Sequence, residues 1–114
     1  MDQLTTEEAF QSGLRLFNEG EYWYAHERWE ICWRAAQGMD AEFYQALIQT
    51  AAALVKWRQG NLRGLQLNWV KARRRLVHLP PVYRGLDLTA LTTTMEHLLA
   101  NPGGASVPVI HREA

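Results

Sequence analysis

The chain has 114 residues, 47% apolar and 21% charged, with a formal net charge of zero; that balance is expected of one soluble globular domain rather than a disordered or membrane protein. No run approaches the roughly 20 apolar residues of a membrane span, and the first ten residues, MDQLTTEEAF, are acidic and polar where a secretory signal is basic and then apolar. A single cysteine, Cys32, leaves no internal disulfide framework and suits a reducing cytoplasm.

Thr5-Thr6-Glu7-Glu8 has the Thr-x-x-Glu form of a capping box, which satisfies the first free amides of a helix. Phe10, Leu14 and Phe17 follow at helical spacing, and Gly20 supplies the stop. A second helix runs from Glu21 to Ala36, with Tyr22, Ala25, His26, Trp29, Trp33 and Ala36 as its apolar stripe. Tyr24 and Ile31 lie opposite that stripe, so this helix is expected to meet neighbours on two faces, or a second subunit on one. Gly38 ends it and Asp40 is expected to cap the third helix, residues 41–58, which is apolar around most of its circumference. Only Gln45, Gln49 and Lys56 make a narrow polar strip there.

Gly60 closes the third helix and Asn61 caps a fourth, whose stripe is Leu62, Leu65, Trp69, Ala72 and Leu76. Pro80-Pro81 interrupts the chain, because proline lacks the amide that a helix interior needs. Asp87 caps a fifth helix carrying Leu88, Leu91, Met95 and Leu98. No segment alternates with period two over strand length, so the expected fold is all-α. The expected architecture is a compact bundle of about five helices: one helical domain over residues 1–100, then a flexible or extended tail over 101–114. A shift of forty residues aligns Phe17 with Trp57, Gly20 with Gly60 and Trp29 with Trp69. FNEGEYWYA also carries the Gly-x-Tyr-x-x-Ala turn of tetratricopeptide hairpins, so the bundle reads as two helical hairpins plus a C-terminal helix.

Charge is unevenly placed. Residues 1–42 hold nine acids against three arginines, whereas 43–86 hold eight bases and no acid. An acidic hairpin packed beside a basic one explains this; Arg63, Lys71, Arg73, Arg74 and Arg75 on the fourth helix are the positions an anionic partner such as nucleic acid would use. The neutral total speaks against nucleic acid.

The most distinctive stretch is YAHERWEICW, residues 24–33, in which His26 and Glu30 stand one helical turn apart. A metal-dependent hydrolase would take both as ligands of zinc, iron or manganese, with Glu27 as base, because H-E-x-x-H supplies two zinc ligands from adjacent turns and Glu30 stands where the second histidine would. No Asp, Glu, His or Cys occurs between residues 43 and 77, so a third ligand has to come from His78, His97, His111 or another subunit. A structural or binding role asks less. A buried imidazole needs partners for both nitrogens, and Glu30, Gln45, Gln49 and Lys56 supply a polar network, including an expected Lys56–Glu30 ion pair.

FNEGEYWYAHERWEICW, FYQALIQTAAAL, RQGN and YRGLDLTAL together resemble the bacterial and plastid proteins of Domain of Unknown Function family 309, over roughly residues 10–100. The resemblance implies a small all-helical fold and polar positions at His26, Glu27, Glu30, Gln45 and Gln49; the family has been labelled a predicted metal-dependent hydrolase on its His–Glu pattern. Two departures stand out: Val55 and Lys56 occupy the place where many members have a histidine, and Leu65 follows Gly64 where a small residue is usual. The first removes a natural third ligand. The reading of the sequence is therefore a cytoplasmic, non-catalytic binding module without a membrane partner, which a homo-oligomer would suit, with the metal-dependent hydrolase as the alternative.

Overall fold

The computed structural model describes residues 4–104 and 106–113. Thr5 opens α1 (Thr6–Asn18) through a complete capping box: its hydroxyl accepts the Glu8 amide at 3.1 Å, and Glu8 Oε1 accepts the Thr5 amide at 2.9 Å. Then come α2 (Tyr22–Ala35), α3 (Gly38–Arg58), α4 (Leu62–Leu76), a short hairpin of β1 (Val82–Tyr83) and β2 (Leu86–Asp87), and α5 (Leu88–Ala100). The fold is all-α apart from that hairpin. Short connections make α1 to α4 antiparallel neighbours in chain order, and α5 closes against α4.

The forty-residue shift is visible in the turns. Gly20 and Gly60 both take the left-handed conformation (φ +84° and +74°) that a side chain would strain. The Gly20 amide donates to Phe17 O at 2.9 Å and the Glu21 amide to Leu16 O at 2.8 Å. Forty residues on, Gly60 donates to Trp57 O at 3.0 Å and Asn61 to Lys56 O at 2.9 Å. This is one helix-ending motif used twice.

The core is a single cluster in which Trp29, Trp69, Phe17, Phe43, Leu47, Leu54, Leu65 and Met95 are almost wholly enclosed. α3 runs through its middle, as its all-round apolar pattern requires. Trp29 lies flat on Gly13, where a Cβ would stand within 2.8 Å of the indole. On α2 the buried face is Tyr22, Ala25, Trp29 and Cys32. Trp33, expected in that stripe, is instead 44% exposed. The core meets α2 about 30° round from the expected direction, counted at 100° per residue, so Cys32 is inside and Trp33 and His26 stand on the flank.

One further expectation is corrected. Asp40 does not cap the third helix: α3 begins at Gly38, and the Asp40 carboxylate accepts from Tyr83 Oη at 2.5 Å and Arg84 Nη2 at 2.8 Å. Residues 106–113, beyond α5, are docked on the rest of the fold. Asn18 brackets the Ile110 peptide, donating to its carbonyl at 3.0 Å and accepting its amide at 2.8 Å, while Ile110 itself is buried. Arg112 bridges to Leu86 as a third antiparallel partner of the hairpin, with Asp87 N–H to His111 O at 2.9 Å and Glu113 N–H to Gly85 O at 2.8 Å. The hairpin was hidden because two-residue strands are too short to alternate; its sign is Arg84-Gly85, both at positive φ (47° and 77°), the two-residue turn that matches strand twist.

Candidate functional site

Trp23, His26, Glu30 and Trp33 fall on one flank of α2, beside α3. His26 Nδ1 lies 2.7 Å from the Trp23 carbonyl, which only accepts, so that nitrogen carries a hydrogen. Nε2 lies 2.8 Å from Glu30 Oε1, and the other carboxylate oxygen is 3.5 Å from Arg34. The His26 side chain keeps 16% of its surface, and the Trp23 ring lies beside it, tilted by 53°, at 4.7 Å between centroids. His26 is thus held from both sides by groups of its own helix, with one edge reaching solvent.

Between this flank and α3 lies a cleft of about 150 Å³, lined by Trp23, His26, Ala52, Val55, Lys56 and Gln59. Its surface is mostly apolar, with His26 and Lys56 among the lining residues. Trp23 is 55% exposed although it is the largest side chain at the mouth.

The expected polar network divides into two. His26 and Glu30 are together, and Lys56 shares the cleft with His26, but Glu30 turns to His26 and Arg34 rather than to Lys56. Gln49 belongs to a different cluster: its Oε1 accepts from Arg75 Nε at 3.2 Å, while Arg75 Nη1 makes a forked pair with Glu42 at 2.9 and 2.8 Å. Gln45 is half-buried and falls, by helical phase, on the same flank of α3 as Ala52 and Gln59. Glu27 is exposed on α2 away from the core. Of the five bases on α4, Arg75 is taken by Glu42 and Arg73 stands 3.6 Å from Glu96, while Arg63, Lys71 and Arg74 face solvent.

The described residues alone do not complete a metal site. Among the described residues no three His, Cys, Asp or Glu side chains converge on a point. His26 and Glu30 supply two ligand atoms from one helix, and Ala52, Val55 and Lys56 of α3, which line the cleft with His26, add no carboxylate, imidazole or thiol.

Several ties gave no local signal in the sequence. Asp40 with Tyr83 and Arg84, Glu42 with Arg75, Glu96 with the Trp69 indole, and Asn18 with Ile110 all join residues far apart in the chain. The Arg84 guanidinium, and then the Tyr83 hydroxyl, hold the Asp40 carboxyl below its usual 3.8. Cys32 is enclosed and donates to Thr6 O at 3.3 Å; burial pushes its thiol above the ordinary range, the mark of an inert cysteine. Burial likewise raises the Tyr44 phenol.

Among the described residues no helix is long and apolar enough to cross a membrane. No curated protein matches the chain. A family model described as a domain of unknown function does match, over residues 10–67, a span that runs from α1 into α4 and contains every residue of the α2–α3 cleft. That span is just over half of the chain, and the protein belongs to this family, DUF309.

Proposed function

We propose that the protein is a non-catalytic helical binding module whose docking site is the α2–α3 cleft. The cleft itself carries this reading. Small-molecule sites usually enclose about 300–1,000 Å³, whereas an apolar cavity of about 150 Å³ holds one benzene-sized ring. A cleft of that size suits a single apolar or aromatic side chain presented by a partner protein. Trp23 gives it a broad aromatic wall, and His26, Lys56 and Gln59 offer polar contacts at its rim. Fixing His26 between the Trp23 carbonyl and Glu30 keeps that rim in one geometry before a partner arrives, which lowers the cost of ordering it on binding.

A photo-crosslinking amino acid at position 59, illuminated in cells, tests this. A discrete adduct that disappears with Trp23→Ala and with Val55→Arg is expected. Absence of any adduct, or adducts indifferent to both substitutions, would remove the cleft as a docking site.

The second reading is a metal-dependent hydrolase on His26 and Glu30, with Glu27 as base. Its support is that Nε2 and Oε1 stand 2.8 Å apart with the ring oriented through Nδ1, as metal-bound histidines are. It needs a donor from outside the described residues. Metal content by mass spectrometry on untagged protein decides it: near-stoichiometric metal that is lost in both His26→Ala and Glu30→Gln would establish the hydrolase reading, and protein that takes up none on titration ends it.

A further inference from the structure

The flank that carries the cleft is internally symmetric. Along α2, Trp23, His26, Glu30 and Trp33 follow at steps of three, four and three, so they read the same in both directions about Arg28. Two copies of α2 laid antiparallel with their Arg28 levels matched would set each Trp23 against the second copy's Trp33. The same alignment sets each His26 against the second copy's Glu30. Aromatic meets aromatic, and imidazole meets carboxylate.

α3 and its C-cap residue carry a stripe of the same phase: Gln45, Ile48, Ala52, Val55 and Gln59, at steps of three and four, of which Ile48 is already buried in the core. It begins and ends on glutamine, with alanine, the smallest of the five, at its middle. Antiparallel pairing about Ala52 would bring Gln45 to the second copy's Gln59 and let two helices approach closely at the centre.

The two centres lie at one level. The cleft places Trp23 and His26 beside residues 52 to 59 of α3, around the Val55–Lys56 step. In an antiparallel pair, one turn forward on α2 is one turn back on α3. Moving from the Trp23–His26 level to Arg28 therefore moves from Val55–Lys56 to Ala52. A single twofold axis serves both helices, and α2, α3 and their copies would form a four-helix bundle. The pattern is self-complementary, as an isologous interface must be, and the zero net charge gives two copies no general repulsion.

We propose that this face is the interface of a twofold-symmetric homodimer, with α2 and α3 each packed antiparallel on its own copy. The proposal rests on the reading of this flank as a binding face and names its occupant. It also accounts for Trp23 and Trp33 being 55% and 44% exposed in the single chain, since large aromatic side chains are favoured where they become covered.

Sedimentation equilibrium on the full untagged chain, with circular dichroism to confirm helicity, tests it. Wild type is expected to dimerise at micromolar concentrations. His26→Glu sets carboxylates against carboxylates across the axis, and Glu30→Lys replaces the imidazole's carboxylate partner with an ammonium; each should weaken the dimer about tenfold or more. An equimolar mixture of the two should re-form a heterodimer, because the first variant's carboxylates then face the second's lysine and imidazole. A purely intrachain role for His26 and Glu30 would not produce that recovery. Trp33→Ala, on an exposed side chain that the fold does not need, should also weaken the dimer.

A monomeric wild type, a dimer indifferent to all three substitutions, or folded single variants that stay monomeric when mixed would overturn the proposal. Monomeric wild type with a cleft-dependent crosslink to another protein would overturn the dimer and leave the binding module standing. No cleft-dependent crosslink and no dimer would end both.

Discussion

The first hairpin, α1 with α2, and the second, α3 with α4, use the same turn and cover their tryptophans differently. In the first, Trp29 is enclosed within the hairpin: its ring lies on Gly13 and Phe17, and its N–H donates to the Phe10 carbonyl at 3.3 Å. In the second, the equivalent Trp69 donates to Glu96 of α5 at 2.5 Å, and Trp57 donates to Pro102 O at 3.1 Å. Both partners come from outside the hairpin. A repeated turn therefore reproduces a backbone, but the tryptophan N–H is satisfied by whatever the rest of the chain supplies.

The largest break in this comparison is Trp29→Ala, which should lower stability by about 3–5 kcal/mol, because a fully enclosed indole leaves a cavity that neither helix can collapse. Urea unfolding followed by circular dichroism reads it directly. Gly13→Ala comes next, at about 1–3 kcal/mol, since the added methyl overlaps the indole and must push α1 from α2. The position forty residues on already holds a buried Ala53; Ala53→Gly should cost only about 1 kcal/mol, the usual helix penalty. Equal effects at 13 and 53 would mean that the Trp29 slot is looser than its geometry indicates.

A smaller effect tests the second hairpin's borrowed partner. Trp69→Phe keeps most of the ring and removes the donor to Glu96, so it should cost about 1 kcal/mol. In Glu96→Gln the same substitution should cost less, because the charged acceptor has gone. Identical costs in the two backgrounds would show that the indole–carboxylate contact adds nothing.

Legibility in the sequence followed range along the chain. The capping box at Thr5–Glu8, the caps at Asn61 and Asp87, and the glycine turns each act within three or four residues, and all were readable. His26 and Glu30 were readable for the same reason. The Lys56–Glu30 pair was not, because a helical wheel fixes which side of α3 Lys56 leaves but not how far round α2 the core turns. Asp40 looked like a cap because its partners, Tyr83 and Arg84, lie 43 and 44 residues away. Arg75 looked available to an anionic partner because Glu42 is 33 residues away. The docked tail was illegible for the same reason: nothing near Ile110 announces Asn18.

Asp40 offers the last and smallest test, at the joint where the second hairpin meets β1–β2. Its folded carboxyl is held below the ordinary 3.8, first by Arg84 and then by Tyr83. A depressed carboxyl adds stability that is fully present above the unfolded value and is lost as pH falls through the folded one. The loss should therefore begin near pH 3.8 and continue below it. The side chain is 35% exposed, so solvent screening limits the effect to no more than about 1 kcal/mol. Urea midpoints measured from neutral to acid pH should fall more steeply for wild type than for Asp40→Asn. The two curves should converge at the acid end, where both side chains are neutral. Glu8, whose carboxyl is also lowered by its capping contacts to Thr5, titrates alike in both proteins and drops out of the difference. Parallel curves over the whole range would show that Asp40 holds Arg84 and Tyr83 no more firmly when charged than when neutral.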